Sequence, residues 1–351
     1  MNTEPMRVLV VDDSPLNRSE IVLCLAGSEF EVVGTAGDGS EALRMAKELK
    51  PDAITLDLEM PKMDGFSFLR LIPEVWACPV IVISSNSDNR AVFRALELGA
   101  IDFVPKPDTS AQRIELMRSV LLEKLGVVRA LTPNVWSQRT RSAAPPSSTP
   151  RPMLKPVGGT PRFVLALAAS TGGPTALAEI LSKLDPAHSY ATVIAQHMPA
   201  KFTQTFAERL DRHSRLAVSE ATSRQTLMRG AALVCPGRKC LEVSAEGGQL
   251  VAEVRLPSGK DRYVPNADRL FASVARAAGA NSIAVILTGM GDDGTEGARE
   301  IVRAGGVVFA ESEDTAVVYG MPRAAVQAGL VRRSMPLTAI APYLNDLMRE
   351  R

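Results

Sequence analysis

Residues 7–13 read RVLVVDD: four consecutive apolar side chains, three of them β-branched, that stop on two carboxylates. A run of that length and composition reads as a strand buried on both faces, as parallel sheets require. The carboxylates then stand where an open parallel sheet collects its ligands, just beyond the carboxyl end of a strand. The pattern repeats outward along the chain in EVVGTA (31–36), AITLDL (53–58), PVIVIS (79–84) and DFVPK (102–106). Helix-length segments lie between these runs, among them GSEALRMAKEL (39–49) and NRAVFRALELG (89–99), and IELMRSVLLEKLG (114–126) follows the last. Five alternating strand and helix patterns predict a flavodoxin-like α/β unit over residues 1–128, a five-stranded parallel sheet wound on both faces.

The chain has 351 residues, more than one hydrophobic core usually serves, so a second domain is expected. From Thr132 the apolar periodicity gives way to Pro, Ser and basic residues, as in SQRTRSAAPPSSTPRPMLKPVGGTP (137–161). That composition predicts an extended linker over 129–160, and with no acidic residue between Glu123 and Glu179 its positive charge is unopposed. A second series of runs follows: RFVLALAAS (162–170), YATVIAQH (190–197), ALVCPG (232–237), NSIAVILTGMG (281–291) and GGVVFA (305–310). They predict a mostly parallel α/β domain of hydrolase type over 161–351. CLEVSAEGGQLVAEVRLPSG (240–259) alternates polar and apolar residues around Gly247 and Gly248, the pattern of an inserted β-hairpin.

Lys plus Arg number 40 against 39 Asp plus Glu, and no compact basic helix-turn-helix pattern occurs, so a nucleic-acid partner is not expected. The opening residues lack the basic region of a signal peptide, and no apolar run approaches the roughly 20 residues of a spanning helix. A cytoplasmic protein without membrane insertion is the expectation. Cys24, Cys78, Cys235 and Cys240 are too scattered for a disulfide framework and read as reduced thiols.

The strand ends of the first unit share one chemistry. Asp12 and Asp13 follow the first run, Asp57 the third, Ser84 the fourth and Lys106 the fifth. Asp12 and Asp13 as simple helix caps is the competing reading, but it leaves the other three unexplained. Three converging carboxylates repel one another unless a divalent cation holds them, and an all-oxygen donor set is what Mg²⁺ prefers. With charge neutralised, Asp57 can attack an incoming phosphoryl group in line, and Lys106 can pair with the new charge. Ser84 would hydrogen-bond a phosphoryl oxygen, and Phe103, three residues before Lys106, would swing with the Ser84 loop as a switch. VVDDS (10–14), LDLEMPKMDG (56–65) and GAIDFVPKP (99–107) make this segment resemble a response-regulator receiver domain. The resemblance implies that the Glu59 backbone carbonyl is a further Mg²⁺ ligand and that a sensor histidine kinase is the phosphodonor.

In the second domain Ser170 ends a strand and opens the turn STGGP before the helix pattern TALAEILSKL (175–184). A serine on such a turn stands clear of the sheet beside backbone N–H groups able to hold an oxyanion, those near Gly172 among them. Ser170 as a helix cap, or the glycines as a phosphate loop of a nucleotide-binding module, compete with the nucleophile reading. Of three histidines, His188 lies in the loop DPAHSY and His213 ends a polar helix, where it can serve the macrodipole. His197 alone stands at a strand end and is the expected general base. Asp292 and Asp293, in LTGMGDDGTEG (287–297), are both placed to orient it.

ASTGGP (169–174), QHMP (196–199) with FTQTFAERL (202–210), CPG (235–237) and LTGMGDDGTEG resemble the chemotaxis protein-glutamate methylesterase (CheB) family, with the likeness covering nearly the whole chain. The resemblance implies Ser170, His197 and Asp293 as the triad, with Thr171 and Met290 lining the oxyanion region. It further implies hydrolysis of γ-glutamyl methyl esters, and deamidation of glutamines, on methyl-accepting chemoreceptors under control of phosphorylation at Asp57, with no cofactor for the esterase. The sequence departs from the family at Ala168-Ala169-Ser170, where Gly-Ala-Ser is usual, at Cys240, where His is usual, and at Asn266-Ala267-Asp268, where Ser-Val-Asp is usual. The alternative reading is a receiver-controlled receptor-binding module with little or no turnover.

Overall fold

The computed structural model describes residues 4–84, 89–106, 113–129, 131 and 158–350. The chain divides into two compact units, one within residues 1–147 and one within 148–351. Most of the linker expected over 129–160 lies outside the described residues, as does the loop after Ser84.

In the first unit the five expected runs are strands β1 (Met6–Val11), β2 (Phe30–Ala36), β3 (Ala53–Leu56), β4 (Val80–Ser84) and β5 (Asp102–Pro105). They pair in parallel in the order β2-β1-β3-β4-β5, so the order reverses between β1 and β3, and a crevice opens there at the carboxyl edge. Helices α1 (Pro15–Leu25), α2 (Gly39–Leu49), α3 (Gly65–Val75), α4 (Asn89–Glu97) and α5 (Arg113–Arg129) complete the unit. Their starts are written locally. Ser14, Asp38 and Asp64 each cap a helix by accepting from a first-turn backbone N–H, and Pro15 supplies a pre-set first residue to α1.

The second unit contains β6 (Phe163–Ala169), α6 (Gly173–Lys183), β7 (Tyr190–Gln196), α7 (Ala200–His213), β8 (Ala217–Glu220), β9 (Arg224–Thr226), β10 (Ala231–Val234), β11 (Cys240–Glu246) and β12 (Gln249–Arg255). After these come α8 (Ala267–Ala278), β13 (Ser282–Ile286), α9 (Thr295–Arg303), β14 (Val307–Glu311), α10 (Met321–Gln327), β15 (Arg333–Met335) and α11 (Leu337–Glu350). Seven strands form one sheet in the order β15-β14-β13-β6-β7-β10-β8, and every pairing in it is parallel, where a mostly parallel sheet is expected. The chain leaves β6 in one direction and later resumes beside it with β13, so β6 is the point at which strand order reverses. Its residues Phe163 to Ala169 are all buried. On one face Val164, Ala166 and Ala168 share a core with Leu270, Phe271 and Val274 of α8. Burying a side chain of Phe271's kind is worth about 1.5–3 kcal/mol, which is what fixes α8 under the site.

The inserted hairpin forms where the alternation places it: β11 and β12 pair antiparallel from Cys240 opposite Arg255 to Glu246 opposite Gln249. Gly247 and Gly248 take φ of 55° and 79°, the left-handed turn that matches strand twist. β9 adds along the other edge of β12, making the insert a three-stranded sheet. The three residues of β9 are Arg, Gln and Thr, too short and polar a stretch to show an alternation. No helix among the described residues is long and apolar enough to cross a membrane.

Candidate functional site

At the carboxyl edge of the first sheet, Asp12, Asp13 and Asp57 converge, one carboxylate oxygen of each lying within 4.8 Å of those of the other two. Lys106 Nζ donates to Asp12 Oδ2 at 2.8 Å and to Asp57 Oδ2 at 2.7 Å. Asp57 Oδ1 accepts from the Leu58 N–H at 2.7 Å, and Asp12 Oδ1 from the Ser14 N–H at 3.0 Å and from Asn17 Nδ2 at 3.1 Å. Lys106 is fixed from behind, its N–H donating to the Ser84 carbonyl at 2.8 Å. Gly65 permits the close approach of α3 to β3, since a Cβ there would stand 2.5 Å from the Asp57 carbonyl oxygen. The expected quintet of Asp12, Asp13, Asp57, Ser84 and Lys106 is therefore brought to one edge. Ser84 and Phe103 are both buried, Glu59 is exposed, and the loop expected to move with the switch lies outside the described residues.

Electrostatics here are unbalanced in an informative way. Burial raises the Asp57 carboxyl above the usual carboxylate range, the Lys106 ammonium pulls it down and the Asp12 charge adds to the rise. Burial alone would lower Lys106, but Asp57 and Asp12 outweigh it and raise its pKa. Three clustered carboxylates against one ammonium are a donor set that fits a hard divalent cation.

The second site is built on the strands flanking the reversal point. Ala169 of β6 pairs with Gln196 of β7, and the His197 N–H donates to the Ala169 carbonyl at 3.0 Å, so Ser170 and His197 leave adjacent strands at the same level. The Gln196 side chain ties the two turns together: its Nε2 donates to the Ser170 carbonyl at 2.9 Å and to the His197 carbonyl at 3.0 Å. His197 Nε2 lies 2.7 Å from Asp293 Oδ2. Asp293 is buried, and three backbone N–H groups hold its carboxylate: Ala267 at 2.9 Å and Asp268 at 3.1 Å, both in the first turn of α8, and Gly294 at 3.0 Å. An anion at a helix N-terminus is favourably placed, and these bonds fix its orientation toward the imidazole.

Asp292 and Asp293, equivalent on sequence, are separated by the fold. Asp292 is exposed and accepts from the Tyr263 hydroxyl at 3.1 Å and from Arg262 at 3.4 Å. His213 Nδ1 lies 2.9 Å from the Arg209 carbonyl at the end of α7, as expected for a helix-terminal histidine, and His188 sits in its loop. Ser170 is not a cap: Gly172 occupies that position of α6. The two glycines are instead required by close packing in the direction a side chain would take. A Cβ at Gly172, whose φ is +79°, would stand 2.9 Å from Val317, and one at Gly173 would stand 2.1 Å from Gln196 Oε1. Thr171 is buried, its carbonyl accepting from Thr288 Oγ1 at 2.9 Å, whereas Met290 is 44% exposed at the rim.

The departures at 168, 240 and 266–268 have local accounts. Ala168 is buried in the core shared with α8. The Cys240 thiol is buried, which raises its pKa, and faces Asp261 at 4.0 Å. Asn266 accepts from the Arg269 N–H at 2.7 Å as the cap of α8, a role its usual counterpart serine fills as well. Asp268 accepts from the Gly297 N–H at 2.8 Å, and burial pushes its carboxyl up to about 6, the N–H bond opposing and the Asp293 charge adding to the rise.

This geometry is open to two stability tests. Gly173→Ala forces its Cβ against Gln196 and Ala169, and calorimetry should show a loss of about 1–3 kcal/mol, as for other overpacked sites. For Asp57 the sign is set by its raised pKa. Between the unfolded and folded values the native state holds the extra proton, so stability falls as pH rises through that window. Asp57→Asn should therefore melt above the parent in metal-free buffer at pH 8, with the advantage shrinking toward pH 4; an unchanged or lower melting temperature at pH 8 refutes the assignment.

Comparison with known proteins assigns each half of the chain to a family. The profile of the CheB methylesterase family matches residues 165–344, and that of the response regulator receiver domain matches residues 8–118. The chain is 44% identical over 346 residues, 98% of its length and 97% of the relative's, to protein-glutamate methylesterase/protein-glutamine glutaminase 1 of Myxococcus xanthus. It is 43% identical over 350 residues, again 98% of its length and 96% of the relative's, to protein-glutamate methylesterase/protein-glutamine glutaminase 6 of Anaeromyxobacter dehalogenans. Its structure is similar to that of the Thermotoga maritima CheB methylesterase catalytic domain, with a TM-score of 0.51 and 34% identity, covering 53% of this chain and 98% of that one. With a receiver-type first unit and a second unit that carries the methylesterase pattern, the chain belongs to the CheB methylesterase family.

Proposed function

We propose that this protein hydrolyses γ-glutamyl methyl esters on methyl-accepting chemoreceptors, and deamidates receptor glutamines, with Ser170, His197 and Asp293 as its triad. The observation that carries the reading is the His197–Asp293 pair at 2.7 Å, one strand from Ser170 on the same sheet edge. With Nε2 engaged by Asp293, Nδ1 is the imidazole nitrogen left to take the Ser170 proton. Ser170 Oγ attacks the ester carbonyl carbon and its proton passes to His197, giving a tetrahedral oxyanion. Backbone N–H groups at the Thr171–Gly172 turn and at Met290 stabilise that oxyanion. Collapse breaks the carbon–oxygen bond to the methoxy group, which takes the proton from His197 and leaves as methanol. Water, deprotonated by His197, then hydrolyses the acyl-serine and frees the glutamate carboxylate. A glutamine substrate follows the same course with ammonia as leaving group.

The receiver supplies control. Asp57 accepts a phosphoryl group from a sensor histidine kinase, and Asp12, Asp13, Asp57 and the Glu59 carbonyl would hold Mg²⁺, which neutralises charge on that group when bound. Lys106 pairs with the added charge, and Ser84 and Phe103 report it to the rest of the molecule. The protein acts in the cytoplasm, where receptor helices and kinase both reach it.

Two experiments test this. Ser170→Ala should lower methanol release from methylated receptor helices by about 10⁶, the usual cost of removing a triad nucleophile, while receptor binding is retained. Parental turnover in Ser170→Ala would favour another nucleophile, and a parent that binds without releasing methanol would favour the non-catalytic receptor module. Asp57→Ala should lose the stimulation that a small-molecule phosphodonor with Mg²⁺ gives the parent; stimulation that persists rules out Asp57 as acceptor.

A further inference from the structure

The connection between β12 and α8, residues 256–266, is braced more heavily than a polar surface loop requires. Asp261 Oδ2 accepts from the Ser258 N–H at 2.6 Å, Ser258 Oγ at 3.0 Å and Arg269 at 2.7 Å, and Oδ1 accepts from Asn266 Nδ2 at 3.3 Å. Burial would raise the Asp261 carboxyl, but these bonds outweigh it and hold it below the usual carboxylate range. Arg269 extends the brace to Glu242 of β11 at 2.9 Å and to the Leu256 carbonyl at 3.3 Å. Tyr263 lies within this braced connection. Its ring lies over His197 with centroids 5.2 Å apart and planes within 6° of parallel. Its hydroxyl donates to Asp292 Oδ1 at 3.1 Å. Gly291, with φ of +90°, leaves room for that hydroxyl, since a Cβ there would stand 2.4 Å from it.

We propose that Tyr263 is a positioning residue for His197. An imidazole held by one hydrogen bond at Nε2 is still able to rock about that bond. A parallel aromatic face removes this freedom and is worth about 0.5–1.5 kcal/mol beyond the area it buries. Tyr263 thereby keeps Nδ1 aimed at the Ser170 side while Nε2 stays on Asp293, and it shields one face of the ring from water. Asp292 tethers the hydroxyl end of the phenol, whereas the stacked face itself comes from the ring. The adjacent carboxylates thus have separate duties, Asp293 on the imidazole edge and Asp292, through Tyr263, on its face. The proposal rests on the triad reading and adds a residue to it.

A fluorophosphonate probe reads the assignment directly, because it phosphonylates an activated serine with release of fluoride and needs no receptor. Tyr263→Leu should slow both labelling and kcat roughly tenfold or more, as small misplacements of catalytic groups do, with KM changed less than about twofold. Tyr263→Phe keeps the ring face and should stay within about threefold of the parent, since the angle is then set by packing alone. Tyr263→Leu labelling at the parental rate, with or without a raised KM, overturns the proposal, and so does Tyr263→Phe falling as far as Tyr263→Leu. Ser170→Ala separates the two levels: labelling abolished there leaves the Tyr263 variants to decide the positioning role, whereas labelling that survives overturns the triad reading and the proposal with it.

Discussion

Parallel pairing of β6 with β13 on one side and β7 on the other is the constraint from which the catalytic half of this protein follows. Parallel strands deliver all their carboxyl ends to one edge, and consecutive strands sit about 4.8 Å apart. Ser170, His197 and the Asp292–Asp293 turn are chain-distant, yet the first two directly follow β6 and β7 and the turn follows β13. Register does the rest. Ala169 faces Gln196 and Ile286 faces Ala168, so the three strand ends are level rather than staggered. A shift of one residue in either ladder would turn Gln196 or Thr288 toward the wrong face of the sheet. The same rule governs the first unit, where β1, β3 and β5 bring Asp12, Asp57 and Lys106 into one cluster.

The two sites treat their carboxylates in opposite ways. Asp293 is satisfied by fixed backbone donors at the start of α8 and by one imidazole, an arrangement that needs no movement during turnover and suits an orienting group. Asp57 is satisfied mainly by a side chain, Lys106, which it shares with Asp12. Burial and the Asp12 charge together raise its pKa in spite of that partner. The receiver edge therefore stores unfavourable charge, and a cation or a change at Asp57 shifts its balance. A signalling site benefits from such poise, whereas a carboxylate that only fixes a neighbouring imidazole benefits from its absence.

Much of this is legible in the sequence because function sits where pattern changes. Asp12, Asp13, Asp57, Ser84, Lys106, Ser170 and His197 each interrupt or end an apolar run, and in α/β sheets such positions have a predictable location. Asp292 and Asp293 mark the limit of that logic. Both follow the same strand, and only the placement of α8, whose N-terminus faces Asp293, separates them. Gln196 is less legible still, since it reads as the last residue of a strand until the clamp between two carbonyls is seen. Tyr263 lies in a polar loop with no periodicity, and its stacking on His197 appears only once the loop is folded. β9 is silent in the sequence because three polar residues carry no alternation.

The departures from the family pattern also acquire a physical order. Those at Cys240 and Asn266 lie in the Asp261 brace of the connection that contains Tyr263. Cys240 faces Asp261, and Asn266 both bonds Asp261 and caps α8. A change in this network can reach the site by two routes, through the Tyr263 face of the imidazole and through the α8 N–H groups on Asp293. Asp268 belongs to the second route. Its carboxyl, pushed up to about 6, shares the helix start with Asp293, and its ionisation places a second negative charge beside that residue. Because its folded pKa is raised, that charge costs the fold stability as pH rises through the window from the ordinary carboxylate range to about 6. The helix N-terminus and the Gly297 N–H offset part of the cost, which is why the first turn of α8 can carry two carboxylates and still present its backbone donors to one of them.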